Sequence, residues 1–200
     1  RVMVTADKDG DLLIDKDGKA VFGSGTVIIG DQLKVRDGTL VMGGGNPTVY
    51  VARQTTSNGT AEAKFSVGSA GTLTMSGGSF RIGSAHSDND SYPAISFHSS
   101  STVTGTGTDF VLENASDDQE STYVDLNGKT IKSLTVNRAG SYDDVNFMSD
   151  ATITTLTLTD GDIEVTDSGV DLTVTTLNSQ ANSVLTLGTT SATTPTITVT

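Results

Sequence analysis

Short stretches of alternating apolar and polar residues recur along the whole chain, and no stretch carries the sustained i, i+3, i+4 apolar spacing of an amphipathic helix. A period of two places successive side chains on opposite faces of a β-strand. Residues 72–75 (TLTM) and 155–159 (TLTLT) show the pattern clearly. The alternation therefore predicts an all-β protein built from many short strands.

Similar units of strand and corner are repeated. Residues 38–44 (GTLVMGG), 71–78 (GTLTMSGG) and 155–161 (TLTLTDG) each form an alternating stretch that runs into a corner rich in Gly or Asp-Gly. Each is followed at once by another predicted strand, which is typical of a solenoid whose coils bury their apolar faces on one another. We predict a right-handed parallel β-helix, and an antiparallel β-sandwich array is the alternative.

The repeat length sets the size of the predicted rod. Three strands and their corners take about 22–27 residues, so 200 residues make about eight coils. At a rise of about 4.8 Å per coil, the rod is on the order of 40 Å long. The aliphatic and aromatic members of the alternation should face its interior. The predicted inward residues include Leu73, Met75, Phe80, Ile82, Leu134, Val136, Ile153, Leu156, Leu158, Ile163, Val165, Leu172, Val174, Leu185, Ile197 and Val199.

The rhythm is interrupted twice. Residues 84–101 and 114–121 are rich in Ser, Asn, Asp or other polar residues, and both are predicted to be protruding loops. Neither is a linker between domains, so residues 1–200 are predicted to be a single β-solenoid segment. Because residues 196–200 still have the pattern of a strand, we expect this segment to belong to a longer protein.

Composition narrows the possible functions. Hydrophobic residues make up 34% and charged residues 18% of the chain, and the net charge is −12. An acidic chain without a basic stripe is not expected to bind nucleic acid. Cysteine is absent, which excludes disulfides, thiolate metal ligands and a thiol nucleophile. No apolar run approaches the ~18 residues of a membrane helix, so membrane insertion is not expected.

The densest carboxylate cluster is Asp7, Asp9, Asp11 and Asp15, which occupy positions one, three, five and nine of a stretch. That spacing wraps a Ca²⁺ ion in oxygen ligands in calcium-binding loops. The sixth-position Gly and twelfth-position Glu of an EF-hand are both missing here, so an EF-hand is rejected. The four Asp residues are a candidate Ca²⁺ site, and the alternative is that they only shape turns around a strand.

Three further groups are candidates for chemistry. His86 and His98, the only imidazoles, lie in one predicted loop and could serve a metal or acid–base site. Pairs of carboxylates such as those at 143–144 and 160–162 could serve glycan cleavage, or they could simply be solvated corners. A Thr-x-Thr ladder could form a flat hydroxyl array, but the varied lengths between its members argue against strict registry. Its members are Thr152 and Thr154, Thr157 and Thr159, Thr173 and Thr175, and Thr196 and Thr198.

The second half of the chain carries a family resemblance. The segments TIKSLTVNRAG (130–140), VNFMSDATI (145–153), TLTLTDGDI (155–163) and VDLTV (170–174) follow one another in order. They resemble the repeats of large secreted surface proteins of Bacteroidetes, which include giant gliding adhesins and other cargo of the type IX secretion route. The resemblance covers residues 122–187 best. It implies a solenoid fold and a location outside the cell, and it implies no catalytic residue.

These features predict a cell-surface or secreted structural and adhesive stalk segment, without catalytic activity, that mediates attachment to surfaces or glycans. Its expected partners are neighbouring repeats of the same polypeptide, or like subunits, and surface glycans. Three alternatives remain open. They are a β-helical polysaccharide lyase or depolymerase, an extracellular filament stabilised by divalent cations such as Ca²⁺, and an ice-binding solenoid.

Overall fold

The structure is a computed structural model that describes residues 3–6, 10–51, 64–84, 93–114, 122–138, 144–165, 169–180, 183–187 and 196–199. Within these ranges the regular structure is entirely β, and no helix is present that is long and apolar enough to cross a membrane. The strands are β1 (Met3–Ala6), β2 (Leu12–Asp15), β3 (Lys19–Phe22), β4 (Thr26–Ile29), β5 (Leu33–Val35), β6 (Thr39–Met42), β7 (Thr48–Val51), β8 (Phe65–Val67), β9 (Thr72–Met75), β10 (Ser79–Ser84), β11 (Pro93–Phe97), β12 (Thr102–Thr104), β13 (Asp109–Asn114), β14 (Thr122–Asp125), β15 (Thr130–Asn137), β16 (Val145–Phe147), β17 (Ala151–Asp160), β18 (Ile163–Val165), β19 (Asp171–Ser179), β20 (Leu185–Leu187) and β21 (Thr196–Val199).

The strands form three sheets that the chain visits in turn. The first sheet has the order β1-β2-β5-β8-β11-β14-β16-β18-β20, the second β3-β6-β9-β12, and the third β4-β7-β10-β13-β15-β17-β19-β21. Each coil contributes one strand to the third sheet, whose eight strands correspond to eight coils in the described part of the chain. The predicted parallel β-helix is confirmed, and the antiparallel sandwich alternative is wrong.

A single antiparallel pair stands at the beginning of the described chain. β1 runs against β2, with Met3 opposite Asp15, while all other strand pairs in the described ranges are parallel. β1 thereby occupies the edge that β2 would otherwise present. Because β1 is paired with β2, the backbone N–H and C=O groups on that side of β2 are not left open to another chain.

Coil length varies more than the sequence predicts. Leu12 pairs with Leu33, and Leu33 pairs with Phe65, so the second coil is clearly longer than the first. The shortest described coil is the one that separates β16 from β18. The difference falls in the connection from the third sheet to the first, which is residues 30–32 between β4 and β5 but residues 52–64 between β7 and β8. The other corners of the described coils stay short, so the strands stay in register.

In the fifth, sixth and seventh coils, one long strand (β15, β17 or β19) replaces two short ones. β15 alternates inward and outward until two neighbouring residues, Lys132 and Ser133, are both partly exposed between buried Ile131 and Leu134. This change of phase lets both halves of the strand bury their apolar residues. The pairing of β15 with β17 is maintained on both sides of it, from Thr130 to Asn137.

The interior is a column of stacked apolar side chains. Its centre is aromatic: the rings of Phe65 and Phe80 stack with centroids 4.5 Å apart, and Phe80 lies 5.4 Å from Phe110. Thirteen of the sixteen predicted inward residues are buried, from Leu73 to Val174 in the chain. Leu185 and Ile197 are only partly buried, and Val199 is 54% exposed. These three belong to the last described coil, which has a neighbouring coil on one side only.

Parts of the predicted loop at 84–101 are strand in the structure. Ser84 belongs to β10, and β11 carries buried Ile95 and Phe97 into the first sheet. Strand β12 was not predicted from the sequence. Residues 85–92 of the first predicted loop and residues 115–121 of the second lie outside the described residues.

Candidate functional site

An open depression crosses the outer face of the first sheet, and we call it the cross-coil groove. Its volume is about 290 Å³, close to the lower end of the range for ligand sites. Outward side chains of four successive first-sheet strands align along it through the strand register. The lining residues are Lys34, Arg36, Ser66, Val67, Gly68, Ser96, His98, Asp125 and Asn127.

The floor of the groove is low because its residues are small. Ser66 and Ser96 are register partners on adjacent coils, and they lie between Lys34 on one side and Asp125 on the other. Gly68 extends the floor at the corner. A Cβ added there would lie only 2.6 Å from the carbonyl oxygen of Arg36, so larger residues are excluded where the coils approach.

One wall of the groove is cationic. Lys34 and Arg36 line it from the second coil, and the Arg36 guanidinium pairs with the carboxylate of Asp15 on the first coil. The Asp15 side chain is 3% exposed, whereas that of Arg36 is 64% exposed. Asp15 also accepts a hydrogen bond from the backbone N–H of Lys16 at 2.8 Å. The ion pair therefore ties the guanidinium to the corner while most of its surface remains open to ligands.

His98 lies next to the floor of the groove, at the corner that follows β11, and a hydrogen bond fixes its orientation. The backbone N–H of Ser100 donates to Nδ1 of His98 at 3.1 Å. Because Nδ1 acts as an acceptor, the neutral ring carries its proton on Nε2. His98 thus adds a donor to the groove.

The opposite wall is held by a hydrogen-bond network. Asn127 adopts a φ of 47°, and its Nδ2 donates to the carbonyl of Phe97 at 2.7 Å and to Oδ1 of Asp125 at 2.8 Å. The hydroxyl of Ser149 donates to the same Asp125 oxygen at 2.6 Å. Asp125 and Asn127 are therefore pre-positioned, and a carboxylate with two donors retains further acceptor capacity.

Two of the four Asp residues of the predicted Ca²⁺ site, Asp11 and Asp15, lie in the described part of the chain. Asp11 immediately precedes β2 and Asp15 is its last residue, so the two are roughly 13 Å apart along the extended chain. Oδ1 of Asp11 accepts from the N–H of Gln32 at 2.9 Å, and Asp15 pairs with Arg36. Calcium–oxygen distances of about 2.3–2.6 Å do not allow one ion to bind both carboxylates. Asp7 and Asp9 lie outside the described residues, and within the described ranges no group of three His, Asp or Glu side chains could hold a metal.

A second acidic group lies on later coils of the first sheet. The pKa of Glu164 is raised by burial and by the nearby charges of Asp144 and Asp162. Oδ1 of Asp162 accepts from the N–H of Val184 at 2.6 Å, which gives this carboxylate a role in joining coils. Buried Arg138 lies at a corner of the same region, and its backbone N–H donates to the carbonyl of Asp160 at 2.9 Å. His86 and Asp143, two other predicted candidates, lie outside the described residues.

Threonine columns run along the second sheet in continuous register. Thr39, Thr72 and Thr102 are consecutive partners. In the next column, Oγ1 of Thr104 lies 3.4 Å from Oγ1 of Thr74. The Thr-x-Thr ladder of the sequence lies in the third sheet, where Thr152 pairs with Thr173 and Thr173 with Thr198, so the register is kept there as well.

The sequence contained a signal for the groove that single-residue reasoning missed. Four segments have the form apolar-X-apolar-X, with buried apolar residues that face the core. Aligning them places one X on the outer face and the next X at the corner, and together these positions form most of the groove. The segments are residues 33–36 (LKVR), 65–68 (FSVG), 95–98 (ISFH) and 124–127 (VDLN).

Comparison of the chain with protein-family models, with curated proteins and with solved structures found no match.

Proposed function

We propose that this chain is a rigid attachment segment of a secreted or cell-surface protein, and that it binds glycans on its outer face. The observation that carries the proposal is the cross-coil groove, which is built from side chains of four successive parallel strands of the first sheet. A stacked β-rod keeps such residues at fixed spacing, and fixed spacing is what a surface needs to bind an extended polymer without being reshaped by it.

The rest of the outer surface supports the same proposal. Its hydroxyl columns and the chain's net charge of −12 keep a long β-rich rod soluble and discourage side-by-side association of rods. Neighbouring repeats of the same polypeptide, or like subunits, would stack on the ends of the rod. The chemistry we propose is display and attachment, without turnover of the bound glycan.

A glycan array probed with the labelled chain tests attachment, and the glycans it binds are then incubated with the protein to test turnover. We expect selective binding with no new reducing ends or unsaturated uronates after prolonged incubation. Absence of binding to every glycan would refute attachment to glycans. Cleavage would instead favour the lyase or depolymerase, with the acidic group around Glu164 as its first candidate site.

A second candidate function, ice binding, is favoured by the registered threonine columns. Hydroxyls repeated about 4.8 Å apart along a flat sheet form a regular lattice. Thermal hysteresis of the chain, compared with a Thr72→Tyr variant, tests it. A wild-type protein that fails to slow ice growth at high concentration would exclude this function.

A further inference from the structure

We propose that the cross-coil groove binds an acidic oligosaccharide, with the sugar's carboxylate or sulfate at Lys34 and Arg36 and its neutral hydroxyls at Asp125 and Asn127. This inference rests on the proposed attachment function and assigns its site and substrate class. The geometry that carries it is the alignment of cationic, small and acidic residues along four register-matched coils.

Basic side chains are concentrated in the groove although the chain as a whole is acidic. The chain has 24 acidic and 12 basic residues, yet two basic side chains and an imidazole line this one groove. Arg36 is paired with Asp15, and a guanidinium has five N–H donors, so the pair leaves donors for a ligand. Arg and Lys side by side form charge-assisted hydrogen bonds with carboxylates and sulfates.

The groove is elongated between its cationic and acidic ends. Lys34 and Asp125 are three coils apart, roughly 14 Å at about 4.8 Å per coil. A free inorganic anion would fill only the cationic end of such a groove. The small residues Ser66, Gly68 and Ser96 leave the space between the ends open, and the two serines offer hydroxyls for polar contacts. An elongated, hydroxylated ligand suits this space better than a compact ion.

The two ends of the groove favour different chemical groups. The carboxylate of Asp125 repels an anionic group and accepts hydrogen bonds from neutral hydroxyls. Asn127 and Ser149 hold it in place, so it acts as a fixed acceptor. An acidic sugar at one end and a neutral face at the other would satisfy both walls. The groove thus selects an orientation as well as a charge.

The test measures binding of a tetrasaccharide of uronic acids to the full chain by isothermal titration at low salt. Its carboxyl-reduced neutral counterpart and sodium sulfate are the comparison ligands. We expect the uronate tetrasaccharide to bind at least about tenfold more tightly than either, and its affinity to fall as salt is raised. Equal affinity for the neutral sugar would overturn the role of charge, and equal affinity for sulfate would identify an anion site only.

Substitutions then locate the site. Lys34→Gln should weaken tetrasaccharide binding about tenfold, and Ser96→Tyr should abolish it by filling the floor. Lys19→Gln and Thr74→Tyr make the same changes on the second sheet, away from the groove, and should alter affinity less than twofold. Both groove positions face outward, and circular dichroism of each variant checks folding.

The outcomes separate this inference from the proposed function. Unchanged binding in folded Lys34→Gln and Ser96→Tyr proteins would overturn the groove assignment while leaving attachment intact. Failure of the wild-type chain to bind any glycan would overturn both.

Discussion

Single glycines show how closely adjacent coils approach each other. Gly78 has a φ of +80°, and an added Cβ would lie 2.2 Å from the carbonyl oxygen of Pro47 on the preceding coil. Gly128 has a φ of +74° but no atom within 4 Å of that Cβ position, and Gly44 has neither constraint. The three positions therefore separate backbone strain from crowding between coils.

Alanine substitution at these glycines should produce a graded loss of stability. We expect Gly44→Ala to be nearly neutral, Gly128→Ala to cost about 1 kcal/mol through its left-handed backbone, and Gly78→Ala to cost more through the added clash with Pro47. Urea denaturation followed by far-UV circular dichroism measures the order. Equal losses at Gly78 and Gly128 would mean that the Pro47 contact relaxes without cost.

Glu164 gives a prediction for pH. Its pKa is raised above the ordinary value of 4.5, by burial first and then by Asp144 and Asp162. An acid whose folded pKa is raised favours the protonated form, so the folded state loses stability from this group as pH rises through and above 4.5. Glu164→Gln removes that loss.

We therefore expect Glu164→Gln to be more stable than the wild type at pH 7, with the difference disappearing below about pH 4. The urea midpoints of both proteins at the two pH values measure it, and the comparison at low pH serves as the internal control. The difference at pH 7 should shrink in high salt, because the repulsion from the two Asp residues is screened. A difference that persists unchanged at low pH would assign the effect to packing.

At the scale of the element, the strand register determines which side chains of adjacent coils stack on one another. β15, β17 and β19 place Leu134, Leu156 and Leu177 in one inward column. The first-sheet strands β16 and β18 place Val145 beside Ile163. A segment that begins and ends at equivalent register positions is therefore one complete coil. If it is removed, the coils on either side of it can pair with each other.

Removal of residues 145–162, one complete coil, should give a folded protein. β14 would then pair with β18 and β15 with β19, and Leu134 would meet Leu177 in place of Leu156, so apolar residues still face inward. We expect retained β-sheet circular dichroism, cooperative unfolding and a rod about 4.8 Å shorter by small-angle scattering. Removal of residues 145–153 alone is the control, and it should prevent folding because the first-sheet strand is lost. Unfolding of the whole-coil deletion would show that the coils are not interchangeable.

The sequence predicted the elements better than their boundaries. Alternation located strands such as β9 and β21 with the bounds seen in the structure, because a period of two depends only on neighbouring residues. It missed β12, whose three residues include a single apolar side chain, Val103, so that no alternation is present. It assigned Pro93 to a loop, although the register with Tyr123 draws that residue into the first sheet. Pairing with the adjacent coil decided both cases.

At the scale of the whole molecule, stability should depend on position along the rod. Leu156 is fully buried between coils on both sides, whereas Val199 in the last described coil is 54% exposed. In a stack where each coil contacts only its neighbours, the ends contribute less than the middle. Opening should therefore begin at the end of the rod.

Leu156→Ala should cost about 2–5 kcal/mol and accelerate amide exchange in the coils around it. Val199→Ala should change the unfolding free energy by less than about 0.5 kcal/mol and affect exchange only locally. Chemical denaturation and hydrogen exchange measure the two effects. A large global loss in Val199→Ala would show that the last coil is as tightly packed as the centre.

The sequence by itself determined the all-β character and most of the inward column, because the alternation of apolar and polar residues is a local property of neighbouring positions. Only the tertiary structure decided between the parallel β-helix and its antiparallel alternative, and only the tertiary structure formed the groove. The groove residues come from segments that lie far apart in the chain, and connections of different length lie between their coils. Their proximity follows from hydrogen-bonded register across those connections, which aligns side chains that the sequence pattern leaves distant from one another.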